Sequence, residues 1–187
     1  MQSLLKWDLY FFKLINYDWS NSLFDYWMPL FRNAPFWNPL YFFLIAFAVV
    51  NFKKTGWWWV LFAAITASCT DLISSQLIKG NIIRVRPCNE FAISEWVRVL
   101  VAYRPQSSSF TSSHAANHFG LAFFLYLTLK DQFTHWPKLF FVWAGVIGYA
   151  QIYVGVHYPI DIIGGALVGC IIGYFTARIF NKQFGLY

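Results

Sequence analysis

Residues 159–180 read PIDIIGGALVGCIIGYFTARIF. The stretch holds one acid near its start, Asp161, and one base near its end, Arg178, with nothing charged between them. A helix needs roughly 20 mostly apolar residues to cross a hydrocarbon layer about 30 Å thick, and this run is long enough. Gly165, Gly169 and Gly173 recur at every fourth position, the spacing at which two membrane helices can approach backbone to backbone.

The rest of the chain is built the same way. Of its 187 residues 58% are hydrophobic, 22% aromatic and only 12% charged, against roughly 25% charged in a soluble domain. Four further stretches are apolar over comparable lengths: 36–52, 57–78, 114–130 and 136–154. The expected fold is an all-α integral membrane protein, a bundle of five or six transmembrane helices forming a single domain over 1–187. Residues 36–180 form its transmembrane core, with a polar loop at 79–113. Trp57, Trp58 and Trp59 read as an aromatic belt at a membrane boundary.

Residues 1–35 differ. Lys6, Asp8, Lys13, Asp18, Asp25 and Arg32 interrupt Trp, Phe, Tyr and Leu at short intervals. This predicts amphipathic helices lying in the interface, broken at Pro29 and Pro35, with an imperfect sixth span as the alternative. The net charge of +6 is scattered rather than gathered into a stripe, so nucleic acid is not an expected partner. Anionic lipid or a phosphorylated substrate suits it better. Cys69, Cys88 and Cys170 give no disulfide or metal spacing.

Alternating the spans across a bilayer puts the 79–113 loop and the 155–159 link on one face. The opposite face receives Lys53, Lys54, Lys130, Lys138, Arg178 and Lys182, with Asp131 its only clear acid. The positive-inside tendency makes that face cytoplasmic and turns the polar loop outward. Lys79, Arg84, Arg86, Arg98 and Arg104 run against the tendency unless they have a chemical task.

Three polar clusters share the outward face: KGNIIRVRP (79–87), SSSFTSSHAANH (107–118) and AQIYVGVHYPID (150–161). Singly, each has an ordinary explanation. Lys79 and Arg86 can snorkel at a helix end, Ser112 can be a helix N-cap, and Asp161 can cap a helix opened by Pro159. His114 and His118 lie four apart, but no further ligand sits at a matching spacing, so no metal site is expected. His118 reads as a packed polar residue, and Asp71, inside the second span, as a structural partner for basic or hydroxyl groups. Jointly, the clusters describe a phosphate pocket. Lys and Arg supply charge, a helix start supplies free N–H groups, and two histidines supply a nucleophile and an acid–base.

The same segments resemble the phosphatidic acid phosphatase type 2 family, whose pattern is K-x6-R-P, then P-S-G-H, then S-R-x5-H-x3-D. Lys79, Arg86 and Pro87 match the first element. Thr111-Ser112-Ser113-His114 keeps the serine and histidine of the second while losing its proline and glycine. Ala150-Gln151, His157 and Asp161 stand in the third. The resemblance implies that His157 forms a phosphohistidine, Asp161 orients it, and His114 protonates the leaving oxygen and then activates water. Lys79 and Arg86, with backbone around Ser112 and Ser113, would clamp the phosphoryl group. It implies a lipid phosphatase in the bacterial cytoplasmic membrane, its site facing the periplasm or outside, with no cofactor. Undecaprenyl diphosphate, phosphatidylglycerol phosphate or phosphatidate are the implied substrates. A phosphotransferase on the same scaffold, or a non-catalytic lipid-phosphate binder or transporter, is the alternative.

Gln151 is the main departure, because the family places a phosphate-clamping arginine there. Glutamine keeps donors but loses the charge and the planar fork. Arg84 and Arg104, on the same face, are the expected substitutes.

Overall fold

A computed structural model describes residues 2–186. Helix α1 (Gln2–Lys13) continues through a wider turn, Leu14–Asp18, and α2 spans Ser22–Phe31. Asn21 caps α2, its side chain accepting from Phe24 N at 2.9 Å. Pro29 lies inside α2 instead of breaking it, whereas Pro35 does sit in a break, the 3-10 turn Ala34–Trp37.

Helix α3 (Asn38–Leu72) is interrupted at Lys53, whose φ of 51° departs from the helical range. The chain reverses there. A Cβ on Gly56 would stand 2.1 Å from the Ala48 carbonyl oxygen, and Leu44 shares a core cluster with Trp59. The second half runs on through a wider turn, Ile73–Ile78, to Asn81. After the loop come α4 (Ser113–Leu129), α5 (Leu139–Tyr153) and α6 (Pro159–Gln183). The described residues contain helices and no strand. The run Ala34–Asn81 and α6 are each long and apolar enough to cross a membrane by length and composition.

The glycine stripe sets the central packing. A Cβ on Gly165 would stand 2.4 Å from the Ser112 carbonyl oxygen, on Gly169 2.2 Å from that of Ala116, and on Gly173 2.3 Å from that of Gly120. Helices α4 and α6 therefore run parallel with their backbones in contact. The second half of α3 lies antiparallel to α4, through Trp59 Nε1 to Thr128 Oγ1 (2.8 Å), Thr70 Oγ1 to Asn117 Oδ1 (2.7 Å) and Ser74 Oγ to Thr111 Oγ1 (3.0 Å). This arrangement brings four helix ends together: the end of α3, the start of α4, the end of α5 and the start of α6.

Polarity is arranged for lipid. Val50 is 75% exposed and Phe42 70%, while Asn16, Thr66, Thr70, Ser74 and Gln151 are buried. An apolar exterior over a hydrogen-bonded interior is what a bilayer demands. Of the three tryptophans expected to form a belt, Trp57 and Trp58 are exposed, whereas Trp59 turns into the core.

The N-terminal segment follows the same rule. Leu4, Trp7, Tyr10 and Phe11 are exposed, whereas Asp8, Phe12 and Asn16 are buried. Asn16 is fully used: its Nδ2 donates to the Arg98 and Tyr153 carbonyls (both 2.8 Å) and its Oδ1 accepts from Arg98 N at 2.9 Å. The segment is thereby stitched to the 79–113 loop and to α5, close to the four helix ends.

Candidate active site

His157 sits in the short link between α5 and α6, 2% exposed. The link is shaped by Gly155 at φ 85°, where a Cβ would stand 2.4 Å from the Arg98 carbonyl oxygen. Both Val156 N and His157 N donate to the Gln151 carbonyl, at 3.2 and 3.3 Å. Arg86 Nη1 lies 3.0 Å from His157 Nε2. A guanidinium can only donate, so Nε2 is the unprotonated nitrogen and the ring proton is on Nδ1.

The acceptor on that side is shared. Nδ1 is 3.5 Å from Asp161 Oδ2 and 3.5 Å from Ser109 Oγ, and Ser109 Oγ donates to the same Oδ2 at 2.5 Å. Asp161 is also a cap, as its sequence position predicts: Oδ2 accepts from Tyr158 N at 2.8 Å. Its other oxygen accepts from Arg84 Nη1 at 2.6 Å, and Arg84 Nη2 reaches Asp8 Oδ2 at 2.5 Å. Asp8 in turn accepts from Ile160 N at 2.8 Å. Ser109, Arg84 and Asp8 are site residues that the motifs do not mark. The sequence hints at them through the dense hydroxyl run at 107–109, the acids embedded in the N-terminal aromatic segment and the basic KGNIIRVRP cluster that contains Arg84, whose expected task is to serve Gln151 instead.

Arg86 is locked by its loop. Nε donates to the Ser107 carbonyl at 2.8 Å, Nη2 to Ser107 Oγ at 3.0 Å, and Nη1 also reaches the Val156 carbonyl at 3.2 Å. Lys79 Nζ donates to Ser113 Oγ at 2.8 Å, and that hydroxyl also meets Ser74 and Ser75, each at 3.1 Å. The serine in the family's glycine position thus holds the lysine. Ser112 is the N-cap of α4, its Oγ 3.4 Å from Ala115 N, while its own N–H donates to the Asp161 carbonyl at 3.0 Å. This bond ties the start of α4, with His114 in its first turn, to the start of α6.

His118 is packed as expected, between the His114 carbonyl (2.7 Å) and the Tyr41 hydroxyl (3.2 Å). Asp71 meets Ser75 Oγ at 3.1 Å and Asn117 Nδ2 at 3.4 Å, outside the histidine cluster. Among the described residues no group of three His, Cys, Asp or Glu side chains converges as a metal site would. The two arginines expected to serve Gln151 lie elsewhere. Arg84 is committed to two buried carboxylates, and Arg104 is exposed. Gln151 is fully buried, with Arg32 Nε 3.4 Å from its Oε1.

A buried, tautomer-fixed histidine faced by a guanidinium is an arrangement able to serve phosphoryl groups. The chain belongs to the PAP2 superfamily, which it matches over residues 56–184. It is 32% identical over 165 residues to a lipid A 4'-phosphatase of Bacteroides thetaiotaomicron, covering 87% of this chain and 72% of that one. It is 30% identical over 119 residues to the undecaprenyl-diphosphatase BcrC of Bacillus subtilis, covering 64% of this chain and 56% of that one. A crystal structure of a transmembrane PAP2-type phosphatidylglycerolphosphate phosphatase from Bacillus subtilis shares the fold at a TM-score of 0.75 and 22% identity, over 98% of this chain and 89% of that one.

Proposed function

We propose that the protein is a membrane lipid phosphatase that hydrolyses a lipid phosphate or diphosphate through a phosphohistidine on His157. The observation that carries this reading is the 3.0 Å contact of Arg86 Nη1 with His157 Nε2. It sets the lone pair of the ring beside a fork suited to phosphoryl oxygens. Burial pushes the His157 imidazole down to about 4, so the ring is neutral, as a nucleophile must be. Nε2 attacks the phosphorus in line; the P–N bond forms as the bond to the lipid oxygen breaks, and His114 protonates that oxygen. Water then attacks the phosphohistidine while His114 takes its proton, and the P–N bond breaks to release phosphate and restore His157. Lys79, Arg86 and the backbone N–H of Ser113, in the first turn of α4, hold the equatorial oxygens, while Ser112, whose own N–H is spent on the Asp161 carbonyl, caps that helix.

In this reading the two halves of α3, with α4, α5 and α6, are five spans, and α1 and α2 lie along the outer surface. The site end faces outward from the bacterial cytoplasmic membrane, because Lys53, Lys54, Lys130, Lys138 and Lys182 gather at the other end. An apolar groove of about 680 Å³ between the start of α3 and α5, lined by Phe31, Trp37, Phe43, Phe140 and Trp143, offers a place for the lipid tail. Lipid A stands first among the candidate substrates, a choice supported by the likeness to the lipid A 4'-phosphatase of Bacteroides thetaiotaomicron.

The test is phosphate release by the detergent-purified protein from lipid A, undecaprenyl diphosphate, phosphatidylglycerol phosphate and phosphatidate, with EDTA present and no added acceptor. Release from at least one lipid is expected. Silence on the whole panel sinks the phosphatase reading, and abolition by EDTA sinks the metal-free mechanism.

The clamp also predicts a pH limit. Burial, with the Arg86 charge beside it, lowers the Lys79 ammonium to about 8. Lys79 is charged below that value and loses its proton above it, so kcat/KM should fall about tenfold per pH unit along an alkaline limb beginning near 8. Lys79→Arg, which cannot deprotonate in this range, should remove the limb. An unchanged limb in that variant would assign it to another group.

A further inference from the structure

We infer that Arg32, at the end of α2, supplies the phosphate-clamping guanidinium that Gln151 lacks, and that Gln151 serves to seat it. The inference rests on the phosphatase reading for its chemistry, but its geometry is separate. Arg32 follows the last residue of α2 and is half-buried. Its Nε is 3.4 Å from Gln151 Oε1, and among the described residues its two Nη groups have no protein acceptor and its charge no carboxylate partner. The other arginines around the site are engaged. Arg84 serves Asp8 and Asp161, Arg98 serves Asp25 at 2.5 Å, and Arg86 is held by loop carbonyls. A half-buried cation without a counter-charge is costly and calls for an anion.

Gln151 presents the matching need. It is fully buried, and its Nε2 is one of two buried side-chain donors or acceptors without a hydrogen-bond partner among the described residues. An unsatisfied buried N–H costs about 1–3 kcal/mol, so its retention points to an acceptor that arrives with a ligand. One oxyanion can accept from Gln151 Nε2 and from the Arg32 fork together. The anion would stand at His157, because Gln151 lies in the last turn of α5, directly before the link that carries the nucleophile. The Gln151 carbonyl also holds His157 N–H at 3.3 Å. One residue therefore fixes both the nucleophile's backbone and the clamp's orientation.

The exchange also has a physical reason. A second guanidinium at position 151 would meet Arg32 in a buried space, like charge against like. A glutamine there accepts from Nε with its oxygen and leaves the Nη edge free for bidentate contact. The clamp then comes from the N-terminal segment instead of from α5.

The experiment uses the full chain in detergent and reads two quantities, kcat/KM for phosphate release and the affinity for inorganic phosphate. Arg32→Ala should lower kcat/KM by about 10²–10³-fold, as loss of one charged transition-state contact does, and weaken phosphate binding at least about tenfold. Arg32→Lys should recover little of either, since it lacks the fork. Arg32→Ala with Gln151→Arg should regain most of the loss, which also shows that the fold is intact. Arg104→Ala, with its exposed side chain, should match the wild type. Wild-type kinetics and phosphate affinity in Arg32→Ala overturn the inference, as does failure of Gln151→Arg to restore either quantity. If the wild type releases no phosphate from any lipid while Arg32→Ala still weakens phosphate binding, the phosphatase reading fails and the assignment of Arg32 stands.

Discussion

His157→Ala should abolish phosphate release from every lipid that the wild type hydrolyses, a fall of about 10⁴-fold or more, the scale seen when a covalent nucleophile is removed. In the proposed mechanism removing the ring takes away the atom that bonds to phosphorus, and among the described residues neither remaining histidine near it is placed to take that role. His114 belongs to a different helix, and His118 is spent on Tyr41 and the His114 carbonyl. The substitution leaves Arg86 anchored by Ser107 and the Val156 carbonyl, so the cationic cradle persists. Affinity for inorganic phosphate should therefore stay within about tenfold of wild type. Rapid quench with a radiolabelled lipid phosphate should show acid-labile, base-stable label on the wild type and none on the variant. Turnover surviving in His157→Ala would remove the phosphohistidine from the mechanism, whatever the substrate.

How much of this arrangement the chain discloses depends on the range over which each contact acts. The long apolar helices are visible because each carries its own length and composition, and the reversal at Lys53 falls between the expected stretches 36–52 and 57–78. The Gly165–Gly169–Gly173 stripe is visible because close approach needs small residues at helical period. His157, Asp161, Lys79 and Arg86 are visible because each cluster carries ionisable groups where the surrounding chain has almost none. The Asp8–Arg84–Asp161 chain is different. Its members are separated by 76 and 77 residues, and no periodicity ties an acid in an amphipathic segment to a particular arginine in a loop. Arg32 meets Gln151 across 119 residues for the same reason. Arg84 and Arg104 suggest themselves for that task because they share the face, and a shared face is a poor guide once Arg84 is taken by two carboxylates and Arg104 is turned outward.

The second large effect concerns Asp161, and it separates orientation from support. Asp161→Asn keeps size and shape but replaces one acceptor oxygen with a donor. If the amide faces Arg84, two donors oppose each other at the 2.6 Å contact; if it faces the other way, it meets the Ser109 hydroxyl and the Tyr158 N–H. Either way a buried ion pair is broken, which costs about 3–5 kcal/mol of stability. The His157 imidazole also loses the carboxylate that favours its Nδ1–H tautomer and steadies the ring, and kcat should fall by about 10²–10⁴-fold. A lower melting temperature alone would not distinguish these effects, since the cap and the ion pair predict it too. Asp8→Asn supplies the contrast, because Asp8 touches Arg84 and Ile160 N but not His157. It should lower the melting temperature to a similar degree while leaving kcat within about tenfold, since it breaks the same kind of buried pair without altering the nucleophile's tautomer. Equal losses of kcat in the two variants would make Asp161 a structural cap whose influence on His157 is indirect. A kcat loss confined to Asp161→Asn would establish it as the residue that orients the nucleophile.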